Sequence, residues 1–115
     1  MIKDFLTLIF PKVCNACRKA LYKSEDCICA YCHYHLPKTN FHLNKENPIS
    51  KTFWGRAAVE EATSLYYFNK GTKVQHLIHQ LKYRGKKEIG YSLGKHYGVE
   101  LKNSRSFSTI DLVIP

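Results

Sequence analysis

The stretch CNACRKALYKSEDCICAYCHYHLP, residues 14–37, contains all five cysteines of a 115-residue chain. Four of them form two Cys-x2-Cys pairs with eleven residues between the pairs: Cys14 with Cys17, and Cys29 with Cys32. Three residues and a leucine follow each pair, so the motif C-x2-C-x3-L occurs twice at an offset of fifteen residues. Two thiol pairs at this spacing are typical of a site for one metal ion.

The repeat predicts that the four paired cysteines bind one structural zinc ion. Two Cys-x2-Cys turns that face each other supply four thiolates and leave no open coordination position, so the predicted ion is not catalytic. An iron–sulfur centre uses the same ligands and stays an alternative. A redox Cys-x2-Cys pair is a second alternative, although one pair would suffice for it. Cys27 lies outside the repeat, and we interpret it as a thiol that does not bind the metal.

The composition indicates a folded, basic protein. The chain is 44% hydrophobic and 13% aromatic, which is enough apolar material for a core, and its formal net charge is +9. Such a charge favours an anionic partner, either nucleic acid or a phosphorylated metabolite. Charge that serves only solubility explains the same excess equally well.

The N-terminal segment does not have the pattern of a signal or of a membrane span. Its apolar run, residues 5–10, is six residues long and is interrupted by Thr7. A membrane span needs about 18 or more apolar residues, and no small-residue cleavage site follows the run. We therefore predict no membrane insertion and a cytoplasmic, reducing setting, where paired Cys-x2-Cys motifs indicate metal more often than disulfides.

The sequence divides into three predicted regions. Residues 1–37 form a short helix, residues 2–10, followed by the double Cys-x2-Cys zinc-ribbon module. Residues 38–56 are polar and are predicted to be a linker in which Pro48 and Gly55 prevent regular structure. Residues 57–115 are predicted to be an α/β region, or α+β within this chain, because β-formers and helical patterns alternate there.

Within the third region we predict two strands and two helices. The β-formers of residues 62–69 predict the first strand. Thr72 is a predicted helix N-cap and Gly85 the end of that helix. A second helix is predicted over residues 86–102, where glycines at 90, 94 and 98 suggest close approach by a neighbouring backbone. The apolar run of residues 109–115 predicts a buried parallel strand, so we expect the sequence to be part of a larger protein.

A basic turn separates the two predicted helices. The stretch LKYRGKK places four cations around Tyr83 and a glycine, and such a set suits phosphate contact with base stacking. A solvated polar face is the alternative interpretation. The candidate contact residues are Lys82, Tyr83, Arg84, Lys86 and Lys87.

The order of these motifs resembles the ComF family of bacterial competence-associated proteins, which are similar to amidophosphoribosyltransferases. The motifs are FP-x2-C-x2-C, a second C-x2-C before LP, an aromatic-rich strand, LIHQLKYRGKKEIG and DLVIP. The resemblance implies a zinc ribbon followed by a type I phosphoribosyltransferase fold. It also implies a role in handling single-stranded DNA during uptake, with other competence proteins as partners.

In the complete family domain, the resemblance implies that phosphoribosyl pyrophosphate and Mg²⁺ bind through an acidic pair and a glycine-containing loop. The resemblance places that motif in the second half of the family fold, and we expect it to have no counterpart in this chain. The stretch around Glu60-Glu61 only imitates it, because no glycine follows to open a phosphate loop. No catalytic residue is assigned, and we expect the chain to have no transferase activity by itself. The alternative hypothesis is a self-sufficient zinc-ribbon adaptor that binds nucleic acid or a protein partner.

Overall fold

The computed structural model describes residues 2–115, and over these residues the chain is mostly helical. Two 3-10 turns, Phe41–Leu43 and Phe107–Thr109, accompany the helices. The α-helices are α1 (Ile2–Ile9), α2 (Ala30–His35), α3 (Pro48–Phe53), α4 (Lys73–Tyr83) and α5 (Lys87–Lys102). Within the described residues, none of these helices has both the length and the apolar character that crossing a bilayer requires.

Helix α4 confirms the expectation drawn from its cap and its apolar stripe. The Thr72 side chain accepts a hydrogen bond from the backbone N–H of Gln75 at 3.5 Å, as an N-cap does. Val74 and Leu77 are buried on the apolar face. Gly85 follows the helix with φ +64°, a left-handed conformation that glycine adopts without steric cost.

Helix α5 is also confirmed, but only one of its glycines is explained by close approach. A Cβ atom on Gly90 would lie 3.2 Å from Cδ1 of Leu81, so α4 packs directly against this position. At Gly94 and Gly98 a Cβ atom would meet no described atom within 4 Å. The expectation of a close neighbour at all three glycines is therefore wrong at the last two.

The expectation that Pro48 prevents regular structure is wrong, because Pro48 begins helix α3. Proline is favoured in the first turn of a helix, where its missing N–H has no intrahelical partner to lose. Asn47 precedes it as the N-cap, and its side chain accepts a hydrogen bond from the Ser50 N–H at 2.9 Å. The segment before α3 adds a 3-10 turn and an isolated antiparallel bridge between Lys38 and Tyr66.

Neither predicted strand forms within the described residues. Residues 62–69 contribute only the bridge at Tyr66, with hydrogen bonds from Thr39 N–H to Leu65 O and from Tyr67 N–H to Pro37 O, both 3.0 Å. The run after the second 3-10 turn has no regular structure, and Leu112, for example, is 73% exposed. A strand needs a neighbour that takes up its backbone groups, and no described segment pairs with this run. The α/β expectation is therefore corrected to a mostly helical chain.

The chain contains two compact units. The first combines the residues up to Leu36 with Phe68–Leu93, and its core holds Ile28, Leu77 and Ile89, each at most 1% exposed. The second combines Pro37–Tyr67 with Gly94–Pro115. In this second unit Asn47 and Ser50 are buried, so polar side chains that bond the backbone make up part of its interior.

Candidate metal centre and basic cleft

Four sulfur atoms come together in the first unit, and they belong to the four paired cysteines. The Sγ atoms of Cys14, Cys17, Cys29 and Cys32 all lie within 4.8 Å of one another. Cys17 Sγ and Cys29 Sγ are 3.7 Å apart. Sulfurs bound at about 2.3 Å around one tetrahedral zinc lie about 3.8 Å apart. The group is therefore close to the arrangement that a single metal ion such as zinc requires.

The first Cys-x2-Cys turn is closed by a short antiparallel bridge between Val13 and Ala20. Inside it, Cys14 N–H donates to Lys19 O at 2.8 Å and Arg18 N–H donates to Cys14 O at 2.9 Å. Arg18 has φ +65°, and this left-handed residue reverses the chain directly after Cys17. The turn thus points two thiols inward and sets Arg18 on its outer side, where the side chain is exposed.

The second Cys-x2-Cys turn is the start of helix α2. Cys29 is the N-cap residue of this helix and Cys32 lies in its first turn, so the helix backbone fixes the spacing of the two thiols. Glu25 accepts hydrogen bonds from the N–H groups of Tyr22 and Ala30, which holds the loop onto the helix start. The sequence repeat therefore rests on two different local structures.

Backbone donors surround the sulfur of Cys14. The N–H groups of Ala16 and Cys29 point to it at 3.4 and 3.3 Å. Burial of Cys14 opposes its ionisation, but these and nearby backbone N–H groups outweigh that effect and lower its pKa to about 7. Burial raises the pKa of the Cys29 and Cys32 thiols. A thiolate that receives N–H bonds is the form that a metal ion binds.

Cys27 does not belong to the four-sulfur group. Its thiol is buried and lies 3.4 Å from the backbone oxygen of Glu88. Burial, together with the neighbouring Asp26 carboxylate, raises the pKa of Cys27. Its backbone oxygen accepts hydrogen bonds from the N–H and the side-chain amide of Asn15, at 2.9 and 3.0 Å. Cys27 therefore joins the two turns through its backbone.

A cleft of about 470 Å³ lies in the same unit and is lined mainly by basic and aromatic side chains. The sequence-based contact set is divided by this cleft: Tyr83, Arg84 and Lys86 line it, whereas Lys82 and Lys87 are exposed and are not among its lining residues. The full lining is Arg18, His76, His79, Gln80, Tyr83, Arg84 and Lys86.

Arg18 was not expected in this cleft. Its side-chain Nη2 lies 3.3 Å from Nε2 of His76, although the two residues are 58 positions apart in the chain. The histidines 76 and 79 are three residues apart in the predicted helix that precedes the basic turn, so the sequence carries a weak signal for them. No local pattern connects a residue of the first cysteine turn with helix α4.

Hydrogen bonds fix the floor of the cleft. Gln80 is 7% exposed, and its Nε2 donates to Asn15 O at 2.9 Å. Lys86 Nζ donates to Gln80 Oε1 at 2.9 Å and to Asn15 Oδ1 at 3.0 Å. The first cysteine turn, helix α4 and the turn after that helix are therefore connected through Asn15.

Comparison with known proteins gives no match to a family model, to a curated protein or to a solved structure.

Proposed function

We propose that Cys14, Cys17, Cys29 and Cys32 bind one structural zinc ion that holds the two cysteine turns together. The observation that carries this proposal is the mutual distance of the four sulfurs, all within 4.8 Å. When bound, the ion supplies a cross-link between chain segments, because four protein ligands leave no position for a substrate. The chain's own contribution is the set of N–H donors around the Cys14 sulfur, which favours the thiolate.

The spacing favours a single ion over an iron–sulfur cluster. A cluster places several irons and sulfides between its cysteine ligands, and this needs more room than one ion does. Sulfurs within 4.8 Å of one another suit one tetrahedral ion. A redox role is less well supported, because a disulfide in one pair would remove two of the four ligands.

The experiment for the zinc proposal is elemental analysis of the purified chain together with single cysteine variants. We expect about one zinc per chain. Cys14→Ser and Cys32→Ser should lose the metal, whereas Cys27→Ser should keep it, because Cys27 lies outside the sulfur group. Cys27 is the matched control, since it is also a buried cysteine and lies two residues from Cys29. Iron in place of zinc, or metal-free protein with intact thiols, contradicts the proposal.

We further propose that the chain is the N-terminal part of a cytoplasmic, ComF-like protein related to phosphoribosyltransferases and linked to DNA uptake. The support is the order of motifs, above all LKYRGKKEIG placed before DLVIP. Phosphoribosyl pyrophosphate, Mg²⁺ and other competence proteins are then ligands and partners of the complete protein. This proposal predicts no transferase activity for the chain alone. Release of pyrophosphate from phosphoribosyl pyrophosphate by the purified chain would contradict it.

The second candidate is a self-sufficient zinc-ribbon adaptor that binds nucleic acid, and the basic cleft favours it. Cations that contact phosphates release counterions, so the affinity for single-stranded DNA should fall steeply with salt. Binding of an oligothymidylate to the chain at several salt concentrations tests this candidate. Affinity that does not change with salt, or no binding at low salt, excludes it.

A further inference from the structure

We propose that the cleft between Arg18, helix α4 and the turn after that helix is a binding site for a phosphate group. The inference deepens the proposed function and rests on it in one respect, because the zinc-bound turn is what holds Arg18 at the cleft. The ligand is a phosphate carried either by a small metabolite or by the backbone of a single-stranded nucleic acid.

The volume of the cleft suits a small organic phosphate. Pockets for small molecules span roughly 300–1,000 Å³, and this cleft encloses about 470 Å³. Tyr83 and His79 form one part of its lining, with ring centroids 5.5 Å apart in an edge-to-face arrangement. Tyr83 is 77% exposed, so one face of its ring is free for a base or a sugar.

The cleft carries positive charge without a compensating carboxylate. Arg18, Arg84 and Lys86 line it, and no Asp or Glu is among its lining residues. Over residues 2–115 none of these three cations forms an ion pair with a carboxylate. The hydrogen-bond acceptors that Lys86 uses are the neutral amide oxygens of Asn15 and Gln80. An anion would therefore meet cations whose charge is not neutralised.

The lowered pKa of His76 is a second sign of positive charge in the cleft. Burial lowers the pKa of His76, and the positive charges of Arg18, Lys86 and Arg84 lower it further, with a contribution from His79. A histidine whose protonation is opposed by its surroundings indicates a positive potential at that point. A bound phosphate would lie where this potential is most favourable to it.

Hydrogen bonds hold the Gln80 and Lys86 side chains of the cleft in place before a ligand arrives. Buried Gln80 is fixed by its bond to Asn15 O and in turn fixes Lys86 Nζ. The backbone of Arg18 is fixed by a left-handed turn in which its N–H donates to Cys14 O, and its side-chain Nη2 lies 3.3 Å from Nε2 of His76. Groups that are already ordered lose little conformational entropy on binding. Lys82 and Lys87 differ from Lys86 in this respect, because they are exposed and lie outside the cleft.

The test is isothermal titration calorimetry, in which inorganic pyrophosphate is titrated into the zinc-loaded chain at constant ionic strength. We expect saturable binding that weakens about tenfold in Arg84→Gln and in Arg18→Gln, because each loses a charged hydrogen bond to phosphate. The matched controls are Lys82→Gln and Lys19→Gln. Each removes the same charge from a nearby exposed side chain outside the cleft. We expect them to weaken binding by less than about twofold.

A second titration identifies the source of the phosphate. Thymidine 5′-monophosphate that binds as tightly as an oligothymidylate indicates a small metabolite, and a much tighter oligothymidylate indicates nucleic acid. In both cases Arg84→Gln must weaken binding more than Lys82→Gln does. Equal losses in these two variants, or no saturable binding of any probe, overturn the proposal. Zinc content measured on the same samples distinguishes this failure from a failure of the metal proposal.

Discussion

The backbone N–H of Cys29 donates a hydrogen bond to the sulfur of Cys14 across 3.3 Å, although fifteen residues separate them. This bond joins the second cysteine turn to a ligand of the first. The bonds from Asn15 to the Cys27 oxygen join the same two segments from the other side. The two turns therefore depend on each other, and a change at one ligand is expected to disturb both.

The link between the turns predicts that zinc supports the phosphate cleft. Removal of zinc with a chelator should loosen the first turn and with it Arg18, so the affinity for pyrophosphate should fall about fivefold to tenfold. Calorimetry on zinc-loaded and chelated protein measures the change.

The control for this prediction is the Arg18→Gln variant. Because its cleft already lacks the guanidinium, chelation should change its pyrophosphate affinity by less than about twofold. An equal loss in the wild type and in the variant would mean that zinc acts through the whole unit and not through Arg18.

The lowered pKa of His76 predicts how anion binding changes with pH. In the free protein, burial and the charges of Arg18, Lys86, Arg84 and His79 keep the imidazole neutral at neutral pH. Protonation adds a positive charge at the cleft, so the affinity for an anion should rise as the pH falls below about 6.5, the ordinary pKa of an imidazole. Inorganic sulfate is the suitable probe, because its own charge stays constant over this range.

The pH dependence of anion binding is assigned to His76 if substitution of this residue removes it. We expect His76→Gln to flatten the pH dependence of sulfate binding, whereas His35→Gln, an exposed histidine that does not line the cleft, should leave it as in the wild type. A dependence that persists unchanged in His76→Gln assigns the effect to another group.

Asn47 is predicted to be a main polar contributor to the stability of the second unit. Its side chain is 2% exposed and donates to the backbone oxygens of Phe41, Asn44 and Ala62 at 3.0, 2.9 and 2.7 Å. It also caps helix α3 through Ser50 N–H. Asn47→Ala should lower the free energy of unfolding by about 2–4 kcal/mol, because it removes a helix cap and the side-chain hydrogen bonds to three backbone oxygens.

Urea unfolding measures this loss, and Asn44→Ala provides the control. Asn44 is exposed, and its side chain bonds one nearby N–H, that of Glu46 at 3.0 Å. We expect this variant to cost less than about 1 kcal/mol. Comparable losses in the two variants would show that the buried bonds of Asn47 contribute little.

The sequence predicted the features whose cause is local. The cysteine spacing identified the four thiols that lie together, and the cap at Thr72 with the stripe at Val74 and Leu77 identified α4. Pairing of strands is not local: residues 62–69 have the composition of a strand, but only Tyr66 has a partner, Lys38. Residue composition indicates that a segment can form a strand, but it does not determine whether a second segment lies beside it to form the hydrogen bonds.

The residues of the cleft could likewise be predicted from the sequence only in part. Tyr83, Arg84 and Lys86 were found because they are adjacent in the sequence, but Arg18 reaches them only through the packing of the first turn near α4. Burial then separates Lys86 from Lys87, which no charge pattern distinguishes. Long-range packing decided which basic residues of one stretch form the cleft.

Alanine substitutions at two glycines of α5 are predicted to have different effects on stability. Gly94→Ala should raise the free energy of unfolding by up to about 1 kcal/mol, since alanine has the higher helix propensity and its Cβ meets no described atom within 4 Å. Gly90→Ala gains the same propensity, but its Cβ would lie 3.2 Å from Cδ1 of Leu81, so the Leu81 side chain must move slightly to make room. Urea unfolding should therefore give a higher free energy of unfolding for Gly94→Ala than for Gly90→Ala. The reverse order would show that Gly90 is not in close contact with α4.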